Sequence, residues 1–158
     1  MNTTQMNEEQ MNTTQMNEAL GRTGEHIAKI IFIEEGHTVV MSDDPYDSIK
    51  DMTIDGQTVE VKTQMRYVIR NAFTIEKKQL KKCMNVDILL FVNVPIDNNI
   101  EIYQYMKKET LFEERVDRRQ MICFPIEDLS CVYKGERKDM AEELRKYCTS
   151  ILIKKKAA

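Results

Sequence analysis

The chain has 158 residues, 42% hydrophobic and 31% charged, with 23 Lys+Arg against 26 Asp+Glu, a formal charge of −3 and a pI near 5.5. One domain is expected, large enough to bury a core without staples. No apolar run reaches the ~20 residues of a membrane span, no signal-peptide core opens the chain, and the four cysteines (Cys83, Cys123, Cys131, Cys148) show no C-x-x-C spacing. These features argue against a membrane protein, a zinc site or a disulfide framework, and point to reduced thiols in a cytoplasmic protein.

In chain order, residues 1–8 (Met-Asn-Thr-Thr-Gln-Met-Asn-Glu) recur unchanged as residues 11–18. So polar a repeat buries little apolar surface against its ordering entropy, and residues 1–18 read as a flexible tail ahead of a single domain over 19–158. A helix is predicted over 22–35, with Thr23 as N-cap, Ile27, Ile30, Ile31 and Phe32 as its apolar face, and Gly36 just past its end. His37–Met41 reads as a strand. Lys50–Ile54 and Gln57–Gln64 flank Asp55-Gly56, a strong short hairpin signal. A strand within 67–75 and a basic helix over 76–84 follow.

Val86–Val94 is almost continuously apolar, as in a central strand covered on both faces. Ile100–Met106 reads as its neighbour. A charged helix near 108–117, a strand at 121–126 and a helix at 137–152 complete the chain. Met140, Leu144, Tyr147 and Ile151 form the apolar stripe of that last helix. The order of elements predicts an α/β fold with a mixed sheet flanked by helices.

The acidic average counts at face value against a nucleic-acid partner, but the charge is segregated. Residues 1–18 hold Glu8, Glu9 and Glu18 and no base, so they carry the whole −3 and residues 19–158 are neutral. Within that body, Asp43, Asp44, Asp47, Asp51, Asp55 and Glu60 face only Lys50 over residues 41–60. Lys62, Arg66, Arg70, Lys77, Lys78, Lys81 and Lys82 then face only Glu76 over residues 61–84. An acidic block feeding a basic one suits a metal site beside a phosphate track, and equally two solvated patches.

Counting outward from the Asp55-Gly56 turn pairs Ile54 with Gln57, Thr53 with Thr58, Met52 with Val59 and Asp51 with Glu60. The last pair sets two carboxylates ~5 Å apart at Cβ, which is destabilising unless something positive lies between them. Strand alternation puts Lys62 and Gln64 on the Glu60 face, with Val59, Val61 and Thr63 on the other. A hard cation such as Mg²⁺ would relieve the two carboxylates, and a neighbouring Lys62 could orient a water and offset charge on phosphorus. Glu-x-Lys also occurs at Glu76–Lys78 and Glu136–Lys138, in charge-rich helical stretches, where a solvated face explains it. His26 and His37 are too far apart in sequence to suggest a shared local site.

Residues 51–64, Asp-Met-Thr-Ile-Asp-Gly-Gln-Thr-Val-Glu-Val-Lys-Thr-Gln, resemble the motif core of the PD-(D/E)XK nuclease superfamily. Gly21–Val40 resembles the first helix and strand of its Holliday-junction-resolvase-like members, and Gln79–Val94 the helix and strand after the active site. The resemblance covers roughly residues 20–105 and implies a restriction-endonuclease-like αβββαβ core. It implies Asp51 and Glu60 as ligands of Mg²⁺, or of Mn²⁺ as substitute, with the Val61 carbonyl as a third ligand. Lys62 becomes the catalytic lysine, Glu25 an auxiliary acid on the metal or its waters, and Gln64 a substrate-positioning residue. Lys50 stands where the family's namesake proline precedes the aspartate, and Pro45-Tyr46-Asp47 offers Asp47 as a rival ligand.

The expected function is Mg²⁺-dependent hydrolysis of DNA phosphodiesters by a homodimer, as a branched-DNA resolvase or a site-specific, restriction-like cutter. Arg66, Arg70, Lys77, Lys78, Lys81 and Lys82 would contact phosphates. The alternatives are a non-catalytic nucleic-acid-binding or assembly subunit and an RNA-directed nuclease.

Overall fold

Helix α1 spans Thr13–Glu34 and so begins well ahead of the predicted residue 22. Asn12 explains the early start. Its side chain accepts the Gln15 N–H at 2.8 Å, while Gln15 Oε1 accepts the Asn12 N–H at 3.0 Å, a reciprocal capping box. The second copy of the repeat is therefore helical from Thr13 on. Thr23 is no cap but sits inside the helix, its hydroxyl donating to the Ala19 carbonyl at 2.8 Å. From Ala19 onward the helix buries Leu20, Gly24, Ile27, Ala28 and Ile31 at helical spacing. It ends as predicted at Gly36 (φ 93°), where the Gly36 and His37 N–H groups donate to Ile33 and Phe32.

The computed structural model describes residues 11–44, 50–66, 71–105 and 120–149. After α1 come β1 (Val39–Met41), β2 (Met52–Ile54) and β3 (Gln57–Gln64). Asp55 and Gly56 both take positive φ (51° and 82°), the hallmark of a type I′ hairpin turn. Over β2 the register is the one counted from the sequence: Ile54 with Gln57, Thr53 with Thr58, Met52 with Val59. The fourth counted pair, Asp51 opposite Glu60, is not part of the ladder; the Asp51 N–H donates to the Val59 carbonyl instead. Asp55 also accepts the Thr38 N–H at 2.9 Å and pairs with His37 at 2.7 Å. These contacts hold its carboxyl below the usual range and tie the turn to the end of α1.

The chain continues through β4 (Ala72–Glu76), a 3₁₀ turn (Lys77–Gln79), α2 (Leu80–Asn85), β5 (Ile88–Asn93) and β6 (Asn99–Tyr105). It closes with β7 (Met121–Pro125), a second 3₁₀ turn (Ile126–Asp128), β8 (Leu129–Glu136) and α3 (Lys138–Lys146). The predicted basic helix is thus split into a 3₁₀ turn and a short α2. Strand β8 is an addition to the expected elements. The helix expected near 108–117 and Ile151 lie outside the described residues.

A six-stranded sheet runs in the order β1-β2-β3-β5-β6-β8, and β4 and β7 form a separate antiparallel pair. Among the described strands β3 and β5 pair in parallel and the other neighbours antiparallel, so the sheet is mixed. The parallel pair requires a crossover, and β4 with α2 provides it. Strand β5 is covered on both faces. Leu90 and Val92 pack with Ile27, Ala28 and Ile31 of α1 and Leu144 of α3. Leu89 and Phe91 pack with Phe73, Ile122, Phe124 and Cys83 on the opposite face. Phe73 stacks on Phe91 with centroids 4.9 Å apart and planes 11° from parallel. No helix among the described residues is long and apolar enough to cross a membrane.

Candidate functional site

The site begins where β2 stops and β3 continues. Asp51 immediately precedes β2; its N–H donates to the Val59 carbonyl at 2.9 Å, so the Val59 peptide groups face β2. Peptide groups alternate sides along a strand, which turns the Val61 N–H and carbonyl toward the same edge, past the last ladder pair of β2. Among the described residues no strand pairs with that edge beyond Met52, and Asp51 Oδ2 accepts the Val61 N–H there at 2.7 Å. The Asp51 carboxylate, the Val61 backbone and Glu60 therefore share one open strand edge.

Glu25 joins them from α1. That helix comes so close to β3 that a Cβ on Gly24 would lie 1.7 Å from Thr63 Oγ1. The glycine is required for the approach, and the approach carries the next residue, Glu25, to the strand end. The Glu25 carboxyl hydrogen-bonds to Asp51, and its pKa is pushed up to about 7, first by burial and then by the Asp51 charge.

Glu60 is the buried member, only 2% exposed. Burial, then the Asp51 charge, raises its pKa, while Lys62 and Lys82 oppose the rise. Lys62 Nζ lies 3.3 Å from Glu60 Oε1, and Lys82 Nζ of α2 lies 3.3 Å from Oε2. Lys62 also donates to Gln79 Oε1 at 2.9 Å. For Lys82 burial favours the neutral amine, but the charges of Glu60 and Asp51 outweigh it and raise the pKa.

Among the described residues no three His, Cys, Asp or Glu side chains are drawn into a preformed cation cage, and the Glu60 oxygens face two lysines instead. The donor set nonetheless fits a hard divalent cation. Its side-chain donors are carboxylate oxygens, and the buried Glu60 Oε2 is met among the described residues only at 3.3 Å, by the Lys82 ammonium. Asp51, Glu60 and the Val61 carbonyl are the groups that could hold such an ion, with Glu25 behind them.

Other expected residues fall elsewhere. Gln64 is occupied by structure: its Nε2 donates to the Thr74 carbonyl at 2.6 Å and its Oε1 accepts the Thr74 N–H at 2.8 Å, tying β3 to β4. Arg66 donates its N–H to Asn93 Oδ1 at 3.0 Å and is half-buried. Lys77, Lys78 and Lys81 are exposed on the 3₁₀ turn and α2, with Lys78 paired to Glu76 at 3.0 Å. Arg70 and the rival ligand Asp47 lie outside the described residues. Lys82 was expected on the phosphate track; its ammonium instead enters the carboxylate cluster. Its sequence neighbours Lys77, Lys78 and Lys81 carry the same charge, and nothing in the sequence singles it out.

Beside Lys62 opens a cleft of about 300 Å³ lined by Asn17 and Leu20 of α1, Gln64, Thr74 and Gln79. Asn17 belongs to the second copy of the repeat. The chain matches no family model, no curated protein and no solved structure. The functional reading accordingly rests on the chemistry of this site.

Proposed function

We propose that the protein is a Mg²⁺-dependent endodeoxyribonuclease with a restriction-endonuclease-like core of the PD-(D/E)XK type. The observation that carries this reading is the gathering of Glu25, Asp51, Glu60 and Lys62 at one open strand edge. The succession of α1, β1, β2, β3, crossover helix α2 and β5 supports it, having the order of such a core with β4 inserted in the crossover.

In this reading Asp51 and Glu60 hold the cation with the Val61 carbonyl. Bound Mg²⁺, or Mn²⁺ in its place, would polarise a phosphoryl oxygen and acidify a water. Lys62, fixed between Glu60 and Gln79 beside the cleft, orients the attacking water and offsets negative charge growing on phosphorus. Glu25, with its pKa near 7, can hold or release a proton at neutral pH. Arg66, Arg70, Lys77, Lys78 and Lys81 engage backbone phosphates. Cutting both strands of a duplex or junction with so small a chain calls for a symmetric dimer.

The test incubates the full chain with supercoiled, linear, single-stranded and four-way-junction DNA, and with RNA, in Mg²⁺, Mn²⁺ or EDTA. Cutting of DNA that needs the cation and drops at least ~10²-fold in Lys62→Ala and Asp51→Ala is expected, the scale of losing one transition-state stabiliser. Equal cutting by wild type and Lys62→Ala would overturn the assignment. DNA binding without cutting would favour a binding subunit, and cutting of RNA alone an RNA-directed nuclease.

A further inference from the structure

We propose that Lys82 competes with the divalent cation for Glu60, so that the cation binds only by displacing the Lys82 ammonium, which is then released toward substrate phosphate. The inference rests on the metal-site reading above and adds to it a residue that reading does not use.

Three observations lead there. First, Glu60 is buried and carries two lysines, one on each oxygen, both at 3.3 Å. A carboxylate whose two oxygens each face an ammonium is already neutralised, and a cation approaching Oε2 meets Lys82 on its path. Second, the two lysines are held differently. Lys62 has a second anchor in Gln79 at 2.9 Å. Lys82 pairs with Oε2 at 3.3 Å, and its side chain keeps 32% of its exposure against 20% for Lys62. A point charge on a flexible four-carbon stem, held mainly by Coulomb attraction, is the partner that can leave. Third, α2 is a short helix, and its side-chain burial centres on Cys83 rather than Lys82. Lys82, itself half-buried, can therefore swing outward without unpacking the core.

An ammonium at this place gives two effects of opposite sign. It lowers affinity for the cation, because the cation must displace it from a carboxylate and then tolerate its charge nearby. Once displaced, it adds a positive charge to the substrate side of the site. A lysine that merely orients Glu60 would do the reverse and strengthen cation binding.

The measurement is Mn²⁺ affinity of the full chain without nucleic acid, read by electron paramagnetic resonance of free Mn²⁺ at one fixed pH for all variants. Wild type is compared with Lys82→Met, which keeps the apolar stem, and Lys82→Arg, which keeps the charge. Thermal unfolding of each variant confirms a folded chain. We expect Lys82→Met to bind Mn²⁺ about 3- to 10-fold more tightly, the worth of one partly exposed ion pair, with Lys82→Arg no tighter than wild type. Equal or weaker binding by a folded Lys82→Met would overturn the competition and leave the metal site standing. Absence of Mn²⁺ binding by wild type would overturn both. Should Lys82→Met not fold, Lys82→Arg decides: at least threefold tighter binding by that variant would refute displacement of a charge.

Discussion

Asp51 Oδ2 accepts the Val61 N–H at 2.7 Å, so a side chain fills the hydrogen-bonding place of a strand partner at the edge of β3. The same carboxylate is assigned to the cation, and these two tasks can be separated by substitution. Asp51→Asn keeps an acceptor for Val61, whereas Asp51→Ala leaves a partly buried N–H without one. Asp51→Ala should lower unfolding stability by about 1–3 kcal/mol and Asp51→Asn by clearly less, as read by urea denaturation. Both should lose cation-dependent cutting. Equal stability of the two variants would deny Asp51 its strand-end role.

Glu25 gives a pH signature. Its carboxyl is raised from an ordinary 4.5 to about 7 by burial and the Asp51 charge. A carboxyl raised on folding stabilises the native state most at low pH, and that contribution fades as pH climbs through the raised value. In EDTA, the Glu25 contribution should therefore decline between about pH 4.5 and 7, and Glu25→Gln should show a flatter Tm-against-pH curve over that window. Glu60 shifts in the same direction, so Glu60→Gln should flatten the curve too. An unchanged slope in both variants would contradict the cluster's electrostatics.

Gly24 sets how near α1 comes to β3. A methyl group there would meet Thr63 Oγ1 at 1.7 Å, a clash relieved only by moving the helix or the strand. Gly24→Ala should cost about 1–3 kcal/mol by overpacking, despite the better helix propensity of alanine. It should also shift Glu25 away from Asp51. The pH slope assigned to Glu25 should shrink in this variant alongside the loss of stability. A Gly24→Ala protein as stable as wild type would disprove the close approach.

Gln64 separates a structural role from the substrate-positioning role that the resemblance implied. Its amide satisfies both backbone groups of Thr74. Gln64→Glu keeps the acceptor but sets a carboxylate against the Thr74 carbonyl, so it should destabilise by about 1–3 kcal/mol. Cutting at low temperature, where both proteins stay folded, should be within a few-fold of wild type. A loss of cutting without a loss of stability would return Gln64 to the substrate.

The hairpin was the most legible part, because Asp55-Gly56 fixes a two-residue loop and a two-residue loop fixes register. The pairing of Met52, Thr53 and Ile54 followed directly. Val86–Val94 gave the central strand because its apolar stretch Ile88–Val92 shows no polar alternation, as expected of a strand covered on both sides. The start of α1 was hidden in a polar repeat whose capping box, Asn12 with Gln15, is local chemistry that composition masks. Strand β8 escaped for a geometric reason. Ile102 pairs with Tyr133 and Tyr103 with Cys131, so Val132 is an extra residue and the alternation that announces a strand is broken there. The meeting of Lys82 with Glu60 depends on the crossover, which no local pattern encodes.

Every charged group of the cluster comes from α1, the β2–β3 hairpin or the crossover through α2, and none among the described residues comes from β6, β7, β8 or α3. The later strands and α3 reach the site only through packing, as in Leu144 against the α1 face of the sheet. Genetic lesions should divide accordingly. Core substitutions after Asn99 should be conditional, silent in the cold and defective in the warm, whereas losses at Asp51, Glu60 or Lys62 should be defective at every temperature.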